Sequence, residues 1–226
     1  RVLFRSVRGI LSELKQEGAY ISLNHIADEG LPWTFGLDEA MPFDWIEVWN
    51  GPFTPANWQG LQAWDELLAE GRRITAVGGS DYHHADPFRA LGTPSCFVRA
   101  AGMDEASLLR AIDSGHLSLG ADIEAPLLWL DSPDGRLSQG DGWPRDESIV
   151  RLTAERVQPG DEIRIYGTSG QDAARDKPWQ SMQVGHTGMV QAELEGGGRY
   201  LRVELWRALP GVGARLTALT NPVYWD

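Results

Sequence analysis

The sequence predicts an α/β protein: a partial, distorted β/α barrel over residues 1–121, followed by a small antiparallel, sandwich-like β-domain over 122–226 that packs on it. Three observations carry this. Strand and helix patterns alternate from Ser6 to about Gly120; short alternating runs separated by turn formers fill the chain from Asp122 onward; and no long linker separates the two textures.

The elements follow in order. Val7, Ile10, Leu11 and Leu14 recur at helical spacing over Val7 to Gln16, and Gly18 supplies the stop. A short strand follows over Ala19 to Asn24. After a loop containing Pro32, Gly36 and Pro42, Trp45-Ile46-Glu47-Val48-Trp49 is β-branched and aromatic, and it ends at the turn signal Asn50-Gly51. Thr54 caps the next helix, with Pro55 at its first position; Leu61, Trp64, Leu67 and Leu68 mark a buried face, and Gly71 closes it. Ile74 to Gly79 reads as a third strand. A last helix runs from about Asp104 to Ser114, with Leu108, Leu109 and Ile112 on one face. Beyond it come the β runs: Leu127 to Leu130, Ile149 to Ala154, Glu162 to Tyr166, Met189 to Leu194, Tyr200 to Trp206 and Leu216 to Thr220.

Composition bounds the function. With 226 residues and 42% apolar content the chain can build an ordinary core. A net charge of −12 with no basic cluster argues against a nucleic-acid partner, because phosphate neutralisation needs grouped Lys and Arg. No apolar stretch approaches the ~20 residues that span a bilayer, so a membrane partner is not expected either. The single cysteine, Cys96, excludes an intrachain disulfide, leaves the compartment open between cytoplasm and export, and reads as a small buried residue. Most of the ten tryptophans fall where periodicity predicts core, while loops near Trp143 and Trp179 read as exposed.

Chemistry-bearing residues gather at the strand ends, where ligands bind in parallel α/β architectures. The first strand ends at Asn24-His25, the second holds Glu47 and ends at Asn50, and the third runs into Gly78-Gly79-Ser80-Asp81-Tyr82-His83. On extended backbone, Asp81 and His83 project to one side, a carboxylate and an imidazole able to grip one divalent metal. The two glycines allow a sharp turn or a close approach to a ligand. A carboxylate inside an apolar strand is costly to bury without a donor or cation. Glu47 therefore reads as orienting ligands or contacting substrate, with a plain outward-facing residue the equal alternative; Asn50 and Asn24 read as orienting groups too, although a turn explains Asn50 equally well. His84, His116 and His186 read as solvent-facing or structural.

Leu23-Asn24-His25, Trp45 to Gly51, Gly78 to His83, Leu91-Gly92-Thr93-Pro94 and Thr220 to Tyr224 together resemble, in order, the PHP superfamily of metal-dependent phosphoesterases, in its branch of CehA/McbA-like hydrolases. The resemblance implies a distorted barrel whose strand ends hold up to three divalent ions (Zn, Mn or Fe). It implies His25, Asp81 and His83 as metal ligands, metal-bound hydroxide as nucleophile, and a small, phosphorylated substrate. No catalytic residue beyond the ligands is assigned. Two positions depart from the family pattern: Ile26 stands where a proline follows the Asn-His pair, and no His-x-His pair precedes His25. The chain thus reads as the C-terminal portion of a longer member, and activity of this portion alone is left open. A carbamate, ester or amide hydrolase on the same fold, and a non-catalytic binding module with a degenerate metal site, are the competing readings. A partial barrel with open strand edges further predicts self-association.

Overall fold

The computed structural model describes residues 6–28, 30–38, 41–85, 87–167 and 177–226. Helix α1 (Val7–Gln16) starts where the Ser6 hydroxyl accepts the Gly9 N–H and ends before Gly18, whose φ of 82° reverses the chain. Val7 and Leu11 pack on the core, whereas Ile10 and Leu14 stay exposed. The apolar stripe of α1 is wider than the surface it meets. Strands β1 (Ser22–Leu23), β2 (Trp45–Asn50) and β3 (Thr75–Gly79) form a parallel sheet in the order β1-β2-β3. Parallel neighbours need a crossover. Between β2 and β3 it is helix α2 (Pro55–Ala69), in which Leu61, Trp64, Leu67 and Leu68 are all buried, as their spacing predicts.

After β3 the chain leaves this sheet. Strands β4 (Ser95–Val98) and β5 (Leu117–Gly120) flank helix α3 (Glu105–Asp113), which Asp104 caps through the Ser107 N–H. They pair antiparallel with each other, and β5 pairs with a strand near the end of the chain. The remaining strands are β6 (Leu127–Asp131), β7 (Gly142–Trp143), β8 (Ile149–Val157), β9 (Glu162–Gly167), β10 (Gln180–Gln183), β11 (Gly188–Glu195), β12 (Tyr200–Leu209), β13 (Gly213–Thr220) and β14 (Val223–Trp225). The large sheet has the order β10-β9-β12-β13-β5-β4, with β14 beside β12 and β7 beside β14; β11-β8-β6 form a third sheet.

The fold is mixed α/β, dominated by sheet, and among the described residues no sheet closes into a barrel. The expected partial barrel reduces to a three-stranded parallel sheet. The reason lies in β4 and β5: among the described residues no crossover helix joins β3 to β4, and β4 does not extend the parallel set. The large sheet consequently draws strands from both sides of position 121.

Two cores lie on its opposite faces. On one side Leu117, Leu119, Tyr200 and Leu216 meet Ile46, Val48, Leu61 and Trp64 of the parallel sheet and α2. On the other, Ile163, Ile165, Leu201, Val203 and Leu205 meet Leu128, Leu130, Val150 and Leu152 of the third sheet. Each fully buried aliphatic side chain contributes roughly 1.5–3 kcal/mol. Trp143 belongs to the second core, with its indole edge-on to Trp225 and its N–H on the Ser138 carbonyl, while the turn that follows it, 144–146, is exposed as expected. Trp179 does remain exposed.

Strand alternation sends residues 200, 202, 204 and 206 of β12 toward α2. There Arg202, 1% exposed, makes a two-pronged ion pair with Asp65 of α2 at 2.7 and 2.5 Å and a third bond of 2.6 Å to Glu204. Burial works against the Arg202 charge, but the Asp65 and Glu204 carboxylates outweigh it and hold its pKa above the ordinary value. A second polar tie crosses the same core. Asn221, fully buried, accepts the Ala76 N–H of β3 at 2.8 Å and donates to the carbonyls of Ala76 and of Leu117 in β5.

Candidate functional site

Parallel pairing of Leu23 with Ile46 and of Asn50 with Gly79 brings the C-terminal ends of β1, β2 and β3 to one edge. A cleft of about 420 Å³ opens there, lined among others by His25, Asp28, Glu47, Asn50, Asn57, Phe88 and Arg89.

Glu47 forms its back wall. The register of β2 against β3 slips between Glu47 and Trp49, a bulge that turns the strand beside the cleft. The carboxylate is 8% exposed, and its Oε2 accepts the His25 backbone N–H at 2.8 Å and the Asn50 amide at 3.2 Å. Burial nevertheless pushes its pKa above the usual carboxylate range, opposed by these hydrogen bonds and reinforced by the nearby Asp81 charge. A Cβ at Gly79 would stand 3.2 Å from Glu47 Oε1 and one at Gly78 would stand 3.0 Å from the Trp49 carbonyl. The two glycines thus make room for a carboxylate and for neighbouring strands.

Asp81 and His83 do come together, with Asp81 Oδ1 at 2.9 Å from His83 Nε2. The other oxygen, Oδ2, accepts from Arg89 Nη1 at 2.8 Å, and the same nitrogen reaches Asn50 Oδ1 at 3.2 Å. Arg89 therefore bridges the ends of β2 and β3. Gly51, with φ of 54°, admits it: a Cβ there would lie 3.0 Å from Arg89 Nη1. On the helix side, Asn57 accepts the Thr54 N–H at 2.8 Å and donates to the Asn50 carbonyl at 3.1 Å, which fixes the first turn of α2 to the end of β2.

His25 lines the cleft, but its Nδ1 lies 3.1 Å from the Leu31 carbonyl. Asn24 is exposed and accepts the Ser22 hydroxyl instead of facing the cleft with its neighbours. Asp28, missed in the sequence, is held below the usual aspartate range by the N–H groups of Leu31 and Gly30. Among the described residues, the only non-glycine positions with left-handed backbone are His25, Asp81 and Arg156. Two of the three belong to this site, and such conformations cost about 1–3 kcal/mol and gather at functional sites. Away from it, His116 pairs with Asp141 at 2.9 Å and the Cys96 thiol sits on the Gly78 backbone, half-buried rather than buried.

His25, Asp81 and His83 have the donor chemistry of a Zn, Mn or Fe site. In this arrangement they do not fit a metal by themselves. Among the described residues no group of three or more His, Cys, Asp or Glu is placed to hold one, and the Arg89 guanidinium sits against the Asp81 carboxylate. What the cleft offers is a cation, a carboxylate that resists ionisation, and several amide groups within one concave surface.

Asp28, Arg89 and Asn57 are the cleft residues that reading the sequence missed. Arg89 lies in a loop without periodicity, and Asn57 reads only as a first-turn helix residue. Compared with known protein families, with characterised proteins and with solved structures, the chain matches none.

Proposed function

We propose that the cleft holds a small phosphorylated molecule for hydrolysis, as the phosphoesterase resemblance implies, with Arg89 as the anion-holding group and Glu47 as the proton acceptor. The observation that carries this reading is the convergence of Arg89 and Glu47 on one cleft at the C-terminal edge of a parallel sheet. A guanidinium presents a planar fork of donors matched to phosphate oxygens. The Asp81 carboxylate now on Arg89 keeps that fork oriented, and Asn50 steadies it from the side.

Glu47 suits general-base work, because a carboxylate with a raised pKa takes up a proton nearer neutral pH. Water attacks phosphorus as its proton passes to Glu47; the new P–O bond forms as the bond to the leaving oxygen breaks, and that oxygen is protonated from solvent. The hydrogen bonds from the His25 N–H and the Asn50 amide hold Glu47 in place through the cycle. Because no metal site is completed among the described residues, no step here runs through a metal.

The engagement of Asp81 by Arg89 also favours a second reading, a non-catalytic binder of phosphorylated ligands. Both are tested by assaying phosphomonoesters, phosphodiesters, carboxylic esters and carbamates with and without added Zn, Mn or Fe, alongside calorimetry with inorganic phosphate. Turnover of a phosphoester supports the hydrolase; phosphate binding without turnover of any substrate supports the binder. Turnover confined to carbonyl substrates, or neither binding nor turnover, rules out the phosphoesterase reading.

A further inference from the structure

A second pocket lies at the opposite end of the parallel strands, on the side where Arg73 leads into β3. It has a volume of about 410 Å³, and its walls include Arg73, Arg145, Arg199, Tyr224, Trp225 and Asp226. Three guanidinium groups around one concavity run against the character of a chain with a net charge of −12. We infer that this pocket is a binding site for a small multivalent oxyanion of the phosphate class, separate from the cleft at β1–β3.

The side chains are arranged in a manner suited to that ligand. The Arg73 guanidinium lies over the Tyr224 ring, 5.0 Å from its centroid, and is ion-paired with Asp226. These two contacts restrict the side chain, so less freedom is lost when its fork meets an oxyanion. Arg199 donates to the Ala69 carbonyl at 3.1 Å, at the C-terminal end of α2, which anchors it at the rim. Arg145, fully on the surface, has no carboxylate at ion-pair distance among the described residues. Asp226, the acid in the wall, is paired with Arg73, so the Arg145 guanidinium adds a positive charge to the pocket that no carboxylate of the wall offsets. Tyr224 and Trp225, both 7% exposed, give the pocket a rigid aromatic floor that no ligand has to order.

Pyrophosphate is the probe, titrated by calorimetry into the Arg89→Ala variant so that the other cleft makes no contribution. Binding is expected, weakening as NaCl is added because the site is exposed. Arg145→Ala and Arg199→Ala, each made in that background, are expected to weaken it at least about tenfold, the effect of losing one charge-assisted hydrogen bond. Arg145 is unpaired and exposed, so its variant keeps the fold and circular dichroism will match the parent. Absence of binding at up to about 10 mM pyrophosphate, weaker than any specific site of this kind, overturns the inference. So does a loss of less than about threefold in either variant, which is too small for a direct contact.

Discussion

Replacing Arg202 by methionine removes a charge while nearly conserving volume, so the result reads electrostatics and not cavity formation. In the wild type the guanidinium is 1% exposed and makes three short bonds, two to Asp65 and one to Glu204. Without it, two carboxylates on α2 and β12 face each other in the core with only neutral donors, among them the Trp206 N–H on Glu204 at 2.7 Å and the Tyr200 hydroxyl on Asp65. Breaking a buried pair of this kind costs about 3–5 kcal/mol. At ~2–4 °C per kcal/mol for a chain of this size, melting falls by roughly 6–20 °C. The pH dependence separates charge from packing. Burial already raises the Asp65 pKa and Arg202 opposes that rise, so the variant drives it further upward. A carboxylate whose folded pKa exceeds its unfolded pKa loses stability as pH rises between the two values. The deficit of the variant is therefore largest at neutral pH and shrinks as pH falls toward 3.8, the ordinary aspartate value. Urea unfolding at pH 7 and pH 4.5 measures both. A cost below about 1 kcal/mol at pH 7, or a deficit of equal size at both pH values, refutes the reasoning.

Glu47→Gln keeps both acceptor bonds but removes a charge that burial disfavours, so it stabilises the protein at pH 7, with the gain fading as pH falls to 4.5, the ordinary glutamate value; equal stability of the two proteins at pH 7 would contradict this. Asn221→Ala leaves the Ala76 N–H and the Ala76 carbonyl without partners inside the core, while Gln139 still holds the Leu117 carbonyl, and costs about 3 kcal/mol in chemical denaturation. A loss under about 1 kcal/mol would mean that β3 and β5 hold together without it. Gly140→Ala has nowhere to put its methyl group: φ is 89°, and the new Cβ would fall 1.8 Å from the Ser114 carbonyl oxygen. Soluble expression with wild-type melting would show that this turn relaxes freely.

Much of the fold is legible in the chain because local rules and tertiary packing agree there. The α2 stripe from Leu61 to Leu68 is an example, and so are the strand runs from Leu127 to Thr220. Position within the sheets is less legible. Ser95–Val98 and Leu117–Gly120 flank a helix, as βαβ strands do, and only their antiparallel pairing with each other and the pairing of β5 with β13 assign them to the antiparallel sheet. Alternation in Tyr200–Trp206 reads as one dry and one wet face, yet Arg202 and Glu204 are buried because Asp65 waits on α2. At the candidate site, His25, Glu47, Asn50 and Asp81 stand out as polar groups at the ends of apolar runs. Arg89 does not, since its place beside Asp81 and Asn50 depends on how an irregular loop folds back. The Gly78-Gly79 pair was legible as a constraint but not as to its cause, which is the crowding of Trp49, Pro94 and Glu47 around β3.

In the proposed function Arg89 and Glu47 act together on a phosphorylated substrate, and steady-state kinetics on a phosphate ester divides their roles. Arg89→Ala is expected to raise KM at least about tenfold with a smaller change in kcat, and Glu47→Gln to lower kcat by about a hundredfold or more with KM little changed. Phosphoester turnover that is indifferent to both substitutions would contradict the central claim.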